Sequence, residues 1–311
     1  MSPASVVAPA TLEEAAEAFR EAAAAHRTVS IGREGGSVVL STEKLAAVVE
    51  HEPGDLIVIA EAGIRLSALD AALAPHGQLL ALDPPGDPTL GACLAANLSG
   101  PRRHRYGAPR DLVLGATLVL ADGTIASSGG KVVKNVAGFD LAKLACGSAG
   151  RLGLIARVCV RLHPRPAATA TVALPLRDAA QAAQAVGAIQ ASALAPSAVD
   201  VHWPDRLALL FEGSETAVAA QVEAARTLIG AEPATDEVWS EAGGRQLAAR
   251  GRISFDPGRL AEFLAQHPRA IVRAGCGAAY VPDPVPAARS AAVQALEERI
   301  RTQLDPQGVL A

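Results

Sequence analysis

The sequence predicts an α+β protein of two units: residues 1–166, rich in glycine, and a smaller unit of residues 167–311 with an antiparallel sheet. Three observations support this. A chain of 311 residues is long enough for two cores. Eighteen of the 28 glycines lie within residues 1–166, and the run His163-Pro164-Arg165-Pro166 marks the boundary. The second unit begins with strand and helix patterns in the order β-α-β-β-α.

Composition and charge exclude several classes of function. The net charge is −4, and with only two Trp, two Tyr and five Phe we expect no nucleic-acid partner. No apolar run approaches the roughly 18 residues that a membrane helix needs, and no secretory signal is visible, so we predict a cytoplasmic protein without a transmembrane segment. The four cysteines lack ligand-like spacing, which predicts reduced thiols and no metal site.

A glycine-rich loop follows the first predicted helix. Thr11 caps that helix, and Thr28–Ile31 and Val38–Leu40 are predicted strands on either side of the loop Gly32–Ser37. Consecutive backbone N–H groups in such a loop can hold a phosphate. An ordinary hairpin loop is the alternative.

The middle of the first unit alternates short elements with a proline-rich segment. Prolines 84, 85 and 88 predict an extended path, and Thr89 is a candidate cap for a short helix that ends at Asn97–Gly100. The other predicted elements are a strand at Asp55–Ala60, a helix at Ser67–Leu73, and strands at Leu112–Ala121 and Thr124–Ala126 joined by an Asp122-Gly123 hairpin.

The stretch Gly129–Gly153 contains six glycines and three of the four lysines of the chain. It leads into Leu154–Leu162, where alternation predicts a strand with one buried face. Glycines before a core strand indicate either a close backbone approach to a ligand or a run of tight turns.

In the second unit, helices and strands predict an antiparallel sheet covered on one side. A loop is predicted around Trp239, and the unit is poor in His, Tyr and Lys, which argues against rich catalytic chemistry. The predicted elements are strands at Thr169–Leu174, Ala198–His202, Leu207–Phe211, Ile253–Phe255, Ala270–Ala274 and Ala278–Val281, and helices at Asp178–Ser192, Glu215–Gly230, Leu260–His267 and Pro286–Leu304.

Four segments in this order carry a family resemblance: the loop GREGGS, DPPGDPTLGA with NLSG, YG with RD, and KNVAGFD with GSAGRLG. Together they resemble the FAD-binding domain of the vanillyl-alcohol oxidase or para-cresol methylhydroxylase (PCMH) type, over about residues 6–166. The segments GPRR…YGAPRDLVLG and GGKVVKNVAGFDLAKLACGS are most similar to the FAD-binding subunits of bacterial glycolate oxidases. The tail LDPQGVLA resembles the end of such flavoproteins.

The resemblance implies an FAD site of three walls. Its residues are Gly32, Arg33, Gly35, Gly36 and Ser37 at the pyrophosphate; Pro84, Thr89, Gly91, Ser99, Tyr106, Gly107 and Asp111 along the dinucleotide; and Gly147, Gly150, Gly153 and Ile155 at the adenosine end.

Three positions depart from the family pattern. Alanine replaces the usual residue at Ala92 and Ala149, which is tolerated if φ is negative, and Phe139 lacks a hydroxyl, worth about 1 kcal/mol of hydrogen bonding. The first loop contains neither His nor Cys, so the resemblance implies a non-covalent FAD.

The implied function is that of the FAD-binding subunit of a glycolate oxidase complex. Such a subunit oxidises a small 2-hydroxy acid and passes electrons to a second flavoprotein subunit and an iron–sulfur subunit, which could hold it at the inner membrane. The alternatives are a non-catalytic assembly subunit, a stand-alone FAD-linked oxidoreductase, or, ranked low, a reductase of enolpyruvyl-UDP-GlcNAc.

No catalytic base stands out. His104 is either a substrate or flavin contact or, as its neighbours favour, part of a solvated basic loop; His163 and His202 are candidates by residue type alone. The arginines around His104, with Arg110, could neutralise a carboxylate or the pyrophosphate, or dock an acidic partner.

Overall fold

The computed structural model describes residues 5–130, 140–286 and 290–311. Phe139, one of the three positions that depart from the family pattern, lies outside the described residues, as does most of the motif KNVAGFD. The first unit contains β1 (Ser5–Val7), α1 (Leu12–Ala24), β2 (Val29–Ile31), β3 (Val38–Leu40), β4 (Val48–Glu52), β5 (Ile57–Glu61), α2 (Leu66–Leu73), β6 (Gln78–Leu79), α3 (Leu90–Ala96), α4 (Arg103–Tyr106), α5 (Pro109–Leu112), β7 (Val113–Val119), β8 (Ile125–Gly129), α6 (Leu141–Ala145), β9 (Leu154–Arg161) and β10 (His163–Pro164).

The remainder of the chain adds a second set of elements. They are β11 (Ala168–Pro175), α7 (Ala179–Gln190), β12 (Ala198–Trp203), β13 (Arg206–Gly213), α8 (Glu215–Ile229), β14 (Glu232–Ala234), α9 (Glu237–Ala248), β15 (Gly251–Ser254), α10 (Leu260–Gln266), β16 (Ala270–Arg273), β17 (Ala278–Val281) and α11 (Ala291–Leu304). Among the described residues, no helix is long and apolar enough to cross a membrane.

A five-stranded antiparallel sheet, ordered β4-β5-β9-β7-β8, forms the main layer of the first unit. The prediction of one buried face for β9 is wrong, because six of its eight residues are buried. Ile155 packs into one apolar cluster and Leu154 into another, on opposite faces of the strand. Because β9 is a central strand that is covered on both faces, neither face needs to be polar. Only its two arginines keep the alternation that suggested a polar face.

A small sheet of three parallel strands, ordered β1-β3-β2, holds the loop Gly32–Ser37. The hairpin alternative is wrong, because β2 and β3 run in the same direction. The tail joins this sheet: Val29 N donates to Val309 O at 2.7 Å and Ala311 N donates to Val29 O at 2.9 Å. Asp305 fixes the tail by accepting from the N–H groups of Val309 and Leu310. These last residues therefore contact the first unit. The boundary between the two units near residue 166 stays a prediction.

A seven-stranded antiparallel sheet, ordered β14-β11-β13-β12-β16-β17-β15, forms the second unit, and we call residues 168–281 the cap. Its first elements follow the predicted β-α-β-β-α order. Helices α7, α8 and α10 cover one face through an apolar cluster that includes Val199, Phe211 and Val272. The α+β class with an antiparallel sheet covered by helices is confirmed.

The predicted loop around Trp239 is wrong, since this segment is the helix α9. Val238, Ala242 and Gln246 recur every four residues and are buried, and Ala242 packs with Ile271 and Tyr280 on the second face of the cap sheet. The Gly243-Gly244 pair lowers the intrinsic helix propensity, so packing rather than local preference stabilises this helix. The strand β4 was also missed; it is an edge strand without a buried residue.

Candidate functional site

The first loop is packed against Ser30 of β2 on one side and has free space on its other side. Gly32 and Gly35 have φ of +63° and +143°, and a Cβ at either position would meet nothing within 4 Å. Beneath the loop, the buried Ser30 hydroxyl donates to Arg33 O at 2.6 Å. Gly36 differs, because its Cβ would lie 2.7 Å from Ser30 N. The loop thus has a packed inner side and an outer side with room for a ligand.

Some backbone donors of this loop are already used. Gly32 N donates to Leu40 O at 2.9 Å, and Ser37 N donates to Thr28 Oγ1 at 3.1 Å. Arg33 contacts the tail, donating from Nη2 to Ala311 O at 3.1 Å. A phosphate at this loop would therefore meet the N–H groups of residues 33–36 rather than those at its two ends.

The turn after α6 lies against the end of β2, immediately before the first loop, and against α3. A Cβ at Gly150, which has φ of +78°, would lie 3.6 Å from Ile31 Cδ1 at the end of β2. Gly147 N donates to Leu94 O at 2.9 Å, and Ala149 N donates to Ala95 O at 2.7 Å. The structure thus places Gly150 beside Ile31, which precedes the first loop, and Gly147 beside α3.

Ala149 does not have the negative φ at which its methyl group would be tolerated. Its φ is +54°, in the left-handed region, where an alanine costs about 1 kcal/mol relative to glycine. Ala92, in contrast, lies within the right-handed helix α3, where its methyl group is unstrained. The two departures from the family pattern therefore differ in energy.

Two buried polar groups without a partner mark the junction of the second and third segments. Within the described residues, Asn97 Oδ1 and Ser148 Oγ are buried and accept or donate no hydrogen bond. The two residues belong to neighbouring segments, since a Cβ on Gly147, which precedes Ser148 in the chain, would lie 3.8 Å from Asn97 Cβ. Buried polar groups of this kind need a partner. A dinucleotide with hydroxyl and phosphate oxygens fits them, and so the residues present fit FAD.

A cavity of about 390 Å³ opens next to this junction. It is lined by Gly147, Ser148 and Arg151 of the turn and by Glu298 and Arg301 of α11. Beside it, burial raises the pKa of the Cys146 thiol to about 11, so that thiol is uncharged at neutral pH.

Other predicted glycines serve packing within the chain. Gly91 N donates to Ala62 O at 2.6 Å, and a Cβ on Gly91 would lie 2.9 Å from Ala62 Cβ. A Cβ on Gly153 would lie 2.8 Å from Val119 O. Pro84 and Ile155 are buried, and Thr89 caps α3 by accepting from Ala92 N at 3.2 Å.

The segment Asn97–Gly107, which we call the strap, runs from the end of α3 to the cap. At its far end Gly107 has φ of +86° and packs on Asp111, whose carboxylate accepts from Ala108 N at 2.8 Å. Tyr106 donates to Glu212 Oε2 of the cap at 3.3 Å. The contacts that the structure gives these three predicted residues are therefore with the chain itself.

The basic cluster of the strap is not a solvated loop. Arg102 donates from Nε and Nη2 to the buried Glu212 Oε1 at 3.0 and 2.7 Å, and Arg105 donates to Ser197 Oγ and Glu212 O, both at 3.3 Å. Arg102 N also donates to both oxygens of Asp83, whose pKa is raised by burial. These arginines join the strap to the cap.

Three histidines considered from sequence are uncharged at neutral pH because burial lowers the pKa of each. His104 lies on the strap against the cap, where a Cβ on Gly275 would come 2.2 Å from its Nδ1. The His163 ring is 4.7 Å from that of Tyr106. His202 is buried beside Trp239 in the cap, where its pKa falls to about 3. His104 alone of the three lies within the strap.

Comparison with known proteins finds relatives that match the first unit. Residues 3–129 match the family described as "FAD binding domain". The glycolate oxidase subunit GlcE of Escherichia coli is 33% identical over 222 residues, covering 70% of this chain and 61% of that protein. The D-lactate dehydrogenase of Archaeoglobus fulgidus is 37% identical over 151 residues, covering 46% and 34%. The glycolate oxidase subunit GlcD of Bacillus subtilis is 32% identical over 167 residues, covering 53% and 36%. The chain thus spans about three fifths or less of these relatives.

The fold has a counterpart among solved structures. An alkyldihydroxyacetonephosphate synthase superposes with a TM-score of 0.72, covering 98% of this chain and 75% of that one at 17% identity. At this identity the likeness supports the fold alone, and it covers both units. The predicted PCMH-type architecture is therefore confirmed.

Proposed function

We propose that this chain is the FAD-holding subunit of a complex that oxidises a small 2-hydroxy acid, because residues 3–129 match the family described as "FAD binding domain". Glycolate, converted to glyoxylate, is the substrate that the relatives' names favour. Two observations support the proposal most: the open, positive-φ loop that follows Ile31, and the nearby turn, where two buried polar groups have no partner among the described residues.

FAD would be held without a covalent bond by three segments. The backbone N–H groups of residues 33–36 suit the pyrophosphate. Asn97 Oδ1 and Ser148 Oγ, which have no partner in the part of the chain that the structure describes, suit the rest of the dinucleotide beside Gly147 and Gly150. The first loop offers no His or Cys for a covalent link. Release of all flavin from the denatured chain is the expected result, and flavin that stays attached would contradict this part.

When bound, FAD supplies the two-electron acceptor that removes hydride from the carbon bearing the hydroxyl. The chain itself must accept the hydroxyl proton and offset the carboxylate charge. Among the three histidines considered, we propose His104, because it is neutral, lies on the strap and adjoins the cap. Arg103 is beside it in sequence, and its guanidinium donates to Ser99 Oγ at 3.3 Å.

The test is anaerobic addition of glycolate or D-lactate to the purified chain reconstituted with FAD. Bleaching of the oxidised flavin band is expected, and replacement of His104 by Gln should slow it and remove a pH-dependent limb of its rate. A protein that stays colourless after reconstitution would refute the proposal. A coloured protein whose His104→Gln variant bleaches at the parent rate would refute only the role of His104.

A second candidate function follows from the inner face of the cap. Asp200, Glu212 and Arg273 are all buried there, and each bonds to another residue of the chain. Polar groups engaged in this way leave fewer side chains for a substrate, which favours a subunit that holds FAD for electron passage or assembly. Reduction of the isolated chain by a 2-hydroxy acid would exclude this alternative.

The partners follow from the same proposal. A relative named as a subunit implies a complex, and we propose a second flavoprotein subunit and an iron–sulfur subunit, with any contact to the inner membrane made through them. Isolation of the complex from its native cells should recover both. Recovery of the chain alone, with full activity, would indicate a stand-alone FAD-linked oxidoreductase.

A further inference from the structure

A chain of buried hydrogen bonds crosses from the cap to the strap. Arg273 of β16 donates from Nη1 to Asp200 Oδ2 of β12 and from Nη2 to Gln246 Oε1 of α9. Gln246 Nε2 then donates to Ser99 O of the strap at 3.0 Å. All four residues are at least 93% buried. We call Asp200, Arg273 and Gln246 the cap relay.

These hydrogen bonds determine the orientation of the Gln246 side-chain amide. A glutamine amide has an acceptor at one end and a donor at the other. Arg273 has no acceptor to offer, so it binds the oxygen of Gln246 and turns the NH₂ group towards Ser99. Asp200 in turn compensates the buried charge of Arg273, which would otherwise be costly at this depth. The relay thus delivers one oriented N–H group to one backbone carbonyl.

The carbonyl that receives it lies in the strap close to the candidate cofactor site. Tyr280 of the cap also approaches Ser99 O, at 3.5 Å, and Arg252 donates to Asn97 O at 3.3 Å. Asn97 is the residue whose buried side-chain oxygen has no partner among the described residues. The cap therefore holds the backbone on both sides of Leu98.

We propose that Gln246, oriented by Arg273 and Asp200, is a positioning residue that fixes the strap backbone for FAD, so that the cap strengthens FAD binding through the strap. This rests on the proposed function, in which Asn97 lies beside FAD. Without the donor, the Ser99 carbonyl is left buried and unpaired, and the strap must shift to satisfy it. The displaced strap would then contact FAD less well, and FAD would bind more weakly.

The experiment uses two substitutions in the full chain. Gln246→Met keeps the length of the side chain and removes both ends of the amide. Gln246→Glu keeps an acceptor for Arg273 but removes the donor to Ser99. FAD is titrated into each apoprotein, and binding is followed by flavin fluorescence and by the visible circular dichroism of the bound flavin.

We expect both variants to bind FAD about tenfold more weakly and to change the visible dichroism. The matched control is Gln221→Met, because Gln221 of α8 accepts only a local bond from Ala195 N at 2.8 Å within the cap; its affinity should equal that of the parent. Gln246→Glu with the parent's affinity and spectrum would overturn the proposal, even if its apoprotein were less stable.

Two further results separate the possible failures. If the parent apoprotein takes up no FAD, the proposed function itself fails, and the relay is refuted with it. If neither Gln246 variant folds, Tyr280→Phe decides, because it removes only the weaker donor at Ser99 O. About threefold weaker FAD binding is expected from that change, and unchanged binding would contradict the proposal that the cap strengthens FAD binding through the strap.

Discussion

The first loop and the strap are both rich in motif residues, yet their environments are opposite. In the loop, Gly32 and Gly35 face open space. In the strap and the helix before it, a Cβ on Gly91 or Gly107 would lie within 3 Å of neighbouring atoms. One set of glycines leaves room for a ligand, and the other lets the chain pack on itself.

Five polar side chains show a related difference, although His104 Nδ1 of the strap and three side-chain atoms of the cap are also buried without a partner among the described residues. Asn97 Oδ1 and Ser148 Oγ, at the ligand end, lack partners within the described part of the chain. Arg102, Tyr106 and Ser99, towards the cap, are bonded within the chain. Unpaired polar groups weaken the apoprotein, and a ligand that pairs with them restores stability by mass action. FAD should therefore stabilise the loop end more than the cap end.

The largest expected effect is at the cap end, for Glu212→Gln. It replaces the carboxylate that accepts from Arg102 and Tyr106 by a neutral amide, in a site where the Glu212 side chain is 1% exposed. We expect a loss of about 3 kcal/mol in the free energy of unfolding by urea, because the positive charge of the Arg102 guanidinium is left without its counter-charge.

The control for this change is Glu17→Gln. Glu17 pairs with Arg20 on an exposed helix face, with side chains 57% and 49% exposed. No measurable loss is expected there. Equal effects at Glu212 and Glu17 would mean that the ion pair between strap and cap is no stronger than a surface pair.

The cap core should also make the protein sensitive to acid. Burial lowers the pKa of His202 to about 3, whereas in the unfolded chain it is near 6.5. The unfolded state therefore binds the proton first as the pH falls, and stability is lost from pH 6.5 down to pH 3. His202→Asn should remove about 3 kcal/mol of the change between pH 7 and pH 4, measured by urea unfolding. A variant with the parent's acid slope would contradict the neutral, buried imidazole.

Gly91→Ala tests the packing class of glycines. The new methyl would meet Ala62 at 2.9 Å, so overpacking should cost about 2 kcal/mol of unfolding free energy. The folded fraction should still bind FAD with the parent's affinity. Weaker FAD binding at unchanged stability would move Gly91 into the ligand-facing class.

Gly35→Ala tests the ligand-facing class. No atom opposes the methyl, but φ of +143° disfavours alanine, and a cost of about 1 kcal/mol is expected. The loop should relax to a different path, so FAD affinity should fall at least about tenfold, a larger effect on binding than on folding. An isothermal titration of both glycine variants gives the comparison directly, and reversed outcomes would break the division.

The smallest effect is a gain. Ala149→Gly relieves the left-handed strain at φ of +54°, and about 1 kcal/mol of added stability is expected. Thermal unfolding of the apoprotein measures it. A loss of stability would show that the alanine methyl makes a contact worth more than the strain.

Local signals in the sequence predicted much of the fold. Thr89 as a helix cap and Asp122-Gly123 as a hairpin were correct, because each depends on neighbours along the chain. The parallel pairing of β2 and β3, the tail on β2 and the helix α9 were not predicted. Each of these depends on packing between distant residues, which propensity and periodicity do not contain.

The candidate site, like the fold, was predicted only in part from the sequence. Resemblance placed the motif residues in order, but it could not tell Gly35, open to solvent, from Gly91, pressed on Ala62. Asn97 and Ser148 lay within the motifs and were passed over, since their only signal is a buried oxygen without a partner. Gln246 lies in a segment predicted as loop, so its role could not be anticipated.

We propose that the open loop and the turn near it hold FAD without a covalent bond. Titration of FAD into the flavin-free full chain, followed by denaturation of the complex, tests this most directly. We expect saturable uptake of one FAD per chain and complete release of the flavin on denaturation. No uptake, or flavin that remains attached to the denatured chain, would contradict it.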